Sequence, residues 1–339
     1  MDYLPTEEQR EWLLHHLAAF VRACGPEPLL SSPILEPTSR CFPDRWKPDP
    51  EGARTLLLRI LDYAGLRELD VEVRLFSLPG RRQPQLPVPF EPVETEEKGA
   101  AALFRGIQGG VAYFGVEQDQ LGDPGGLVGV LCHEAAHAWR RSRGVEDSER
   151  ALEEPLTDLT TVALGFGVLT ANASYRYQAE GSLRHTAWSH RTSGYLTPEA
   201  MCFLLAVQIV LREEDTGRIE RMLEANQAAF YRAAVEVLDR EVLVERLGLG
   251  PEASWPEPRQ DVPAKLPPRP SAVQRRVREI VTLLDSRGIE PGVMDSPLAC
   301  GFDPEETRAT MLARWGALRR PGAWTAQLWL VEVPEVAYQ

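Results

Sequence analysis

Apolar residues recur along this chain at two spacings, and a change of spacing marks each expected change of structure. Over residues 6–24, Trp12, Leu13, Leu17, Phe20 and Val21 fall at three- and four-residue intervals, which predicts an amphipathic helix with these side chains buried. A second helix is expected over 53–64, and alternation over 69–76 predicts a strand. Strand material rich in glycine and aromatic residues follows over 103–116. The next segment is apolar around most of a helical circumference, through Leu127, Val128, Val130, Leu131, Ala135, Ala138 and Trp139. Asp123 and Pro124 suit its N-cap and first helical position, while Arg140, Arg141, Arg143 and Gly144 suit its close. Gly125, Gly126 and Gly129 each weaken its first turns by up to about 1 kcal/mol relative to alanine, so tertiary packing has to hold that end.

Helical periodicity resumes at residue 154. Glu154, Asp158, Thr161 and Gly165 form one stripe, and Leu156, Leu159, Ala163 and Phe166 line another face. A polar and aromatic stretch over 172–195 is followed by a strongly apolar helix over 198–211 and a further helix over about 218–247. Short helices are expected over 271–285 and 308–318, before an apolar tail over 326–336. Two stretches interrupt the pattern: a proline- and acid-rich connection over 78–98, and a linker over 248–270 containing seven prolines. The pattern predicts an α+β fold, mostly helical, with a small sheet ahead of the buried helix. It divides into an N-terminal accessory region, 1–98, a central region, 99–247, and a C-terminal helical region, 271–339.

Composition narrows the partners. A net charge of -13 disfavours nucleic acid and anionic membrane surfaces, whose affinity comes from clustered Lys and Arg. The opening segment carries acids where a secretory signal carries basic residues, and no apolar run reaches the roughly 18 residues of a membrane span. Cys24, Cys41, Cys132, Cys202 and Cys300 form an odd, scattered set without a CxxC pair. That fits free thiols in a reducing cytoplasm better than a disulfide framework.

The chemistry sits in the buried helix, at His133-Glu134-Ala135-Ala136-His137. Four residues advance a helix by slightly more than one turn, so the two imidazoles project from one face about 6 Å apart along the axis and can reach one ion. A carboxylate beside the first histidine can take a proton from metal-bound water, which makes Glu134 the candidate general base. An apolar helix carrying these groups needs them satisfied, and a cation does that. A catalytic zinc wants three protein ligands and an open position. Glu154 is the expected third ligand, with Asp158 one turn on accepting the other ring N–H of His133. Asp158 as the ligand itself is the main alternative, and Glu153 a further one. Cys132 points about 100° away from His133 on the helix, which suits packing. Adjacent residues on a helix diverge, so His15 and His16 are not expected to share a metal.

Residues 105–170 resemble the gluzincin metallopeptidases, the thermolysin-like clan, in which an HExxH helix is followed by a helix supplying Glu and, four residues later, Asp. Glu154-Pro155-Leu156-Thr157-Asp158-Leu159 fits that second pattern. The resemblance implies a zincin-like core, Zn²⁺ as cofactor, and hydrolysis of a peptide or protein substrate with Glu134 as base. It also implies a substrate-binding strand edge before the metal helix and an oxyanion-stabilising Tyr or His after the ligand helix. Tyr175, Tyr177, His185, His190 and Tyr195 are the candidates, with Tyr195 and His190 favoured. Two departures stand out: only sixteen residues separate His137 from Glu154, and Pro155 places Glu154 at the very start of its helix. The metzincin pattern is excluded, because Arg140 and Arg143 stand where it needs Gly and His. The competing classes are a metal-binding interaction protein without protease activity and a zinc hydrolase of a non-peptide amide.

Overall fold

In the computed structural model the described residues are 3–77, 101–108, 110–147, 149–182 and 196–257, with the side chains of 150 and 175–182 excepted. Contacts divide the chain into residues 1–107 with 112–267, and 108–111 with 268–339. The second unit lies almost wholly outside the described residues, as do the stretch 78–98 and the helices expected over 271–285 and 308–318.

The described part is α+β, mostly helical with one three-stranded sheet. Helices α1 (Glu7–Cys24), α2 (Glu27–Ser31) and α3 (Pro50–Tyr63) precede strands β1 (Asp70–Phe76), β2 (Ala102–Gln108) and β3 (Val111–Glu117). Seven helices follow: α4 (Pro124–Arg143), α5 (Arg150–Ala163), α6 (Gly167–Ser182), α7 (Pro198–Leu211), α8 (Thr216–Glu220), α9 (Ala225–Val237) and α10 (Arg240–Arg246). The sheet order is β1-β3-β2. A boundary at residue 98 therefore does not divide the core. β1 shares a sheet with the two later strands, and α1 and α3 contribute to the same buried cluster as α4 and α7.

The turn between β2 and β3 turns on Gly110, at φ 71°. The Ala101 carbonyl accepts the Glu117 N–H at 2.9 Å, and Leu103 lies against Gly115. In this antiparallel register the main chain of 101, 103, 105 and 107 faces β3, and that of 102, 104 and 106 faces outward. Phe104 packs across the pair against Phe114, with ring centroids 5.5 Å apart and the rings tilted by 49°.

Helix α4 has the ends its sequence predicts. The Asp123 carboxylate accepts the Gly126 N–H at 3.1 Å, and Gly144 closes the helix in the left-handed region at φ 65°. Gly129 has a packing reason, since a Cβ there would collide with Ala173 and the Leu169 carbonyl, where α6 crosses closely.

Three expectations change. Helix α5 begins at Arg150 rather than Glu154, so Pro155 lies inside it and removes one backbone bond to a carbonyl of the exposed Ala151. Gly165 is not on the helical stripe but in a turn between α5 and α6 at φ 83°, where a Cβ would collide with the Pro33 carbonyl oxygen. The helix expected over 218–247 is three pieces. Asn172 of α6 reaches into the first break, donating to the Met222 carbonyl at 2.9 Å and accepting the Glu224 N–H at 2.8 Å, and Asp239 caps the last piece. The first break thus depends on a residue distant in sequence, and the second on a local cap. Among the described residues no helix is long and apolar enough to cross a membrane.

Candidate metal centre

Helices α4 and α5 bring the motif together. His133 and His137 stand one turn apart on α4 with ring centroids 4.8 Å apart, and both present Nε2 to one oxygen of Glu154 on α5. The distances to Glu154 Oε2 are 3.1 Å from His133 and 3.4 Å from His137. One ligand atom from each of the three residues lies within 4.8 Å of the others. A tetrahedral zinc with bonds of roughly 2.0–2.1 Å sets its ligands about 3.4 Å apart, so this donor set fits such an ion. His133 is buried, whereas His137 and Glu154 are half-buried, leaving the cluster a side toward solvent.

The opposite ring nitrogens are held by α5. His133 Nδ1 lies 2.8 Å from Asp158 Oδ1, and the Leu196 N–H donates to the other Asp158 oxygen at 2.8 Å. His137 Nδ1 lies 3.2 Å from Thr157 Oγ1. Glu153, the further candidate ligand, is turned away to Arg140, whose Nε and Nη2 donate to its two oxygens at 2.9 and 2.8 Å, and to the Asp147 N–H. Thus Glu154 faces both Nε2 atoms, while Asp158 and Glu153 stand behind the rings.

Glu134 lies beside this cluster, 7% exposed, and accepts the Phe104 N–H from β2 at 2.5 Å. Burial raises its proton affinity; the two imidazoles and the Phe104 bond oppose that rise, and Glu154 adds to it. Burial alone would lower His133, but the Asp158 charge and bond, then Glu154 and Glu134, lift it to about 10. His137 is likewise pushed down by burial and lifted to about 9 by Glu153 and Glu154. Glu154, raised by burial, is brought well below the usual carboxylate range by the two histidines. A site that draws protons onto its imidazoles this strongly would also draw a divalent cation, and the two compete.

No protein-family model, curated protein or solved structure matches this chain. Its chemistry therefore has to be read from the side chains themselves.

Sequence reasoning missed two partners. Arg140, taken for a helix-closing charge, is 4% exposed and paired with Glu153; its place one turn beyond His137 on the same face was the available signal. Thr157 was passed over between Glu154 and Asp158. The five Tyr and His candidates for oxyanion stabilisation all have side chains outside the described residues, although α6 runs through 175 and 177. His15 and His16 lie on α1, with the His16 ring packed at a tilt against Trp12. Cys132 is fully buried, and burial pushes its thiol well up.

Proposed function

We propose that this protein is a zinc-dependent metallopeptidase of gluzincin type, whose zincin-like core holds one Zn²⁺ through His133, His137 and Glu154 and hydrolyses peptide bonds. The observation that carries this reading is the convergence of two Nε2 atoms and one carboxylate oxygen beside a buried carboxylate, Glu134, which accepts the Phe104 N–H. Bound zinc supplies Lewis-acid polarisation of the scissile carbonyl and acidifies a water. Glu134 takes the water's proton and passes it to the leaving amine. Burial raises its proton affinity, which favours proton uptake. The Phe104 N–H fixes one carboxylate oxygen, so proton transfer falls to the other.

Substrate main chain has a place to lie. Among the described residues β2 is an edge strand, with the backbone of Ala102, Phe104 and Gly106 turned outward. The Phe104 N–H is engaged by Glu134, which leaves its carbonyl and Gly106 to pair with an extended peptide. Gly106 has φ 127° and no atom within 4 Å of the position a Cβ would take, as expected where another backbone approaches. A purely structural zinc would favour four closed protein ligands and has no use for a base.

Elemental analysis of the wild type, Glu134→Gln and His137→Ala, followed by cleavage assays on a mixed peptide library, tests the reading. Glu134→Gln is expected to keep about one zinc per chain and to lose hydrolysis by about 10²–10⁴-fold, and His137→Ala to lose the metal. A wild type without stoichiometric metal after supplementation overturns the site, and a zinc-loaded wild type that cleaves no peptide overturns the peptidase.

A further inference from the structure

We infer that Thr157 is a positioning residue for His137: its hydroxyl accepts the Nδ1–H and is itself oriented by the buried Glu153–Arg140 pair, which leaves Nε2 as the ligand atom. The inference rests on the metal site proposed above and adds an unequal support of its two histidines.

The polarity of the bonds decides the direction. Thr157 is fully buried and lies between His137 Nδ1 at 3.2 Å and Glu153 Oε1 at 3.4 Å. An ionised carboxylate only accepts, and Glu153 is gripped through both oxygens by the Arg140 guanidinium and also accepts the Asp147 N–H. The single hydroxyl proton therefore goes to Glu153, and toward the imidazole the oxygen is left as an acceptor. That places a proton on Nδ1 and a lone pair on Nε2, on the side of Glu154. Glu153 is too far from the ring to do this directly, at 3.6 Å from Nδ1. Its orientation is over-determined: Arg140 grips both oxygens and also donates to the Val145 carbonyl at 2.8 Å and to Thr160 Oγ1 at 3.3 Å. His133, by contrast, meets the Asp158 carboxylate with no intermediary. One ligand thus leans on an anion, and the other on a neutral hydroxyl backed by a neutralised ion pair.

Thr157→Val keeps the shape and deletes the hydroxyl, and Thr157→Ser keeps the hydroxyl. Zinc affinity by competition with a chromophoric chelator, the visible spectrum of the Co²⁺ form, and thermal unfolding of the chelator-stripped protein are measured on the full chain. Thr157→Val should weaken zinc by about 10–100-fold and shift the Co²⁺ bands, and Thr157→Ser should restore both. Zinc binding by Thr157→Val within about twofold of wild type overturns the relay while leaving the metal site standing. Failure of the wild type to bind zinc overturns the site beneath it. If Thr157→Val unfolds once stripped of metal, Thr157→Ser alone carries the test: wild-type affinity and spectrum support the relay, and a loss as large as 10-fold overturns it.

Discussion

Helices α4 and α7 are both central and both buried, yet they are buried on opposite terms. From Pro198 to Leu211, α7 places apolar side chains round most of its circumference, and its one fully buried polar side chain, Gln208, donates to the Leu29 carbonyl at 3.1 Å while its Oε1 has no partner among the described residues. Helix α4 carries His133, Glu134 and Arg140 through an equally dry environment, and each of them meets a specific group on α5 or β2. Apolar burial on α7 is enough to account for its stability. Buried charges are a poor way to gain stability, because desolvation offsets most of their attraction, so the polar face of α4 needs a chemical reason.

The sharpest way to break this contrast is at Arg140. Arg140→Leu leaves the half-buried Glu153 without its cation and should cost up to about 3–5 kcal/mol by urea unfolding. Arg140→Leu combined with Glu153→Leu should recover most of that stability while still weakening zinc. If both recover together, the pair serves packing alone. A cavity in α7 tests the other side. Leu205→Ala, at a fully buried position, should cost about 2–5 kcal/mol and leave zinc affinity per folded molecule unchanged. The smallest effect is expected at the helix end. Asp123→Ala removes the side-chain bond to Gly126 and should cost about 1 kcal/mol, measurable as a shifted urea midpoint at constant slope.

The same two helices mark what sequence could reveal. The α4 limits were legible because local chemistry sets them: Asp123 and Pro124 at one end, left-handed Gly144 at the other, with the histidine spacing fixed by helical geometry between them. The Glu154 and Asp158 stripe was legible from its four-residue spacing, with Asp158 and Glu153 as alternative ligands, and the structure sets Glu154 at the two Nε2 atoms and Asp158 at His133 Nδ1. The start of α5 was not, because Pro155 reads locally as a helix start, whereas Arg140 and the Asp147 N–H, both binding Glu153, hold an earlier turn in place. The break between α8 and α9 was hidden because Asn172 of α6 supplies the bonds there. Where tertiary partners decide, periodicity runs past the true boundary.

Gly165 gives the centre its height gauge. It sits eleven residues beyond Glu154, in the turn just past the end of α5, and its bare α-carbon is seated against the Pro33 carbonyl while its own carbonyl accepts the Leu35 N–H at 2.8 Å. A rod clamped at its far end by a main-chain seat cannot slide lengthwise without unseating that clamp. The carboxylate offered to the histidines is thus indexed from a place with no titratable group at all.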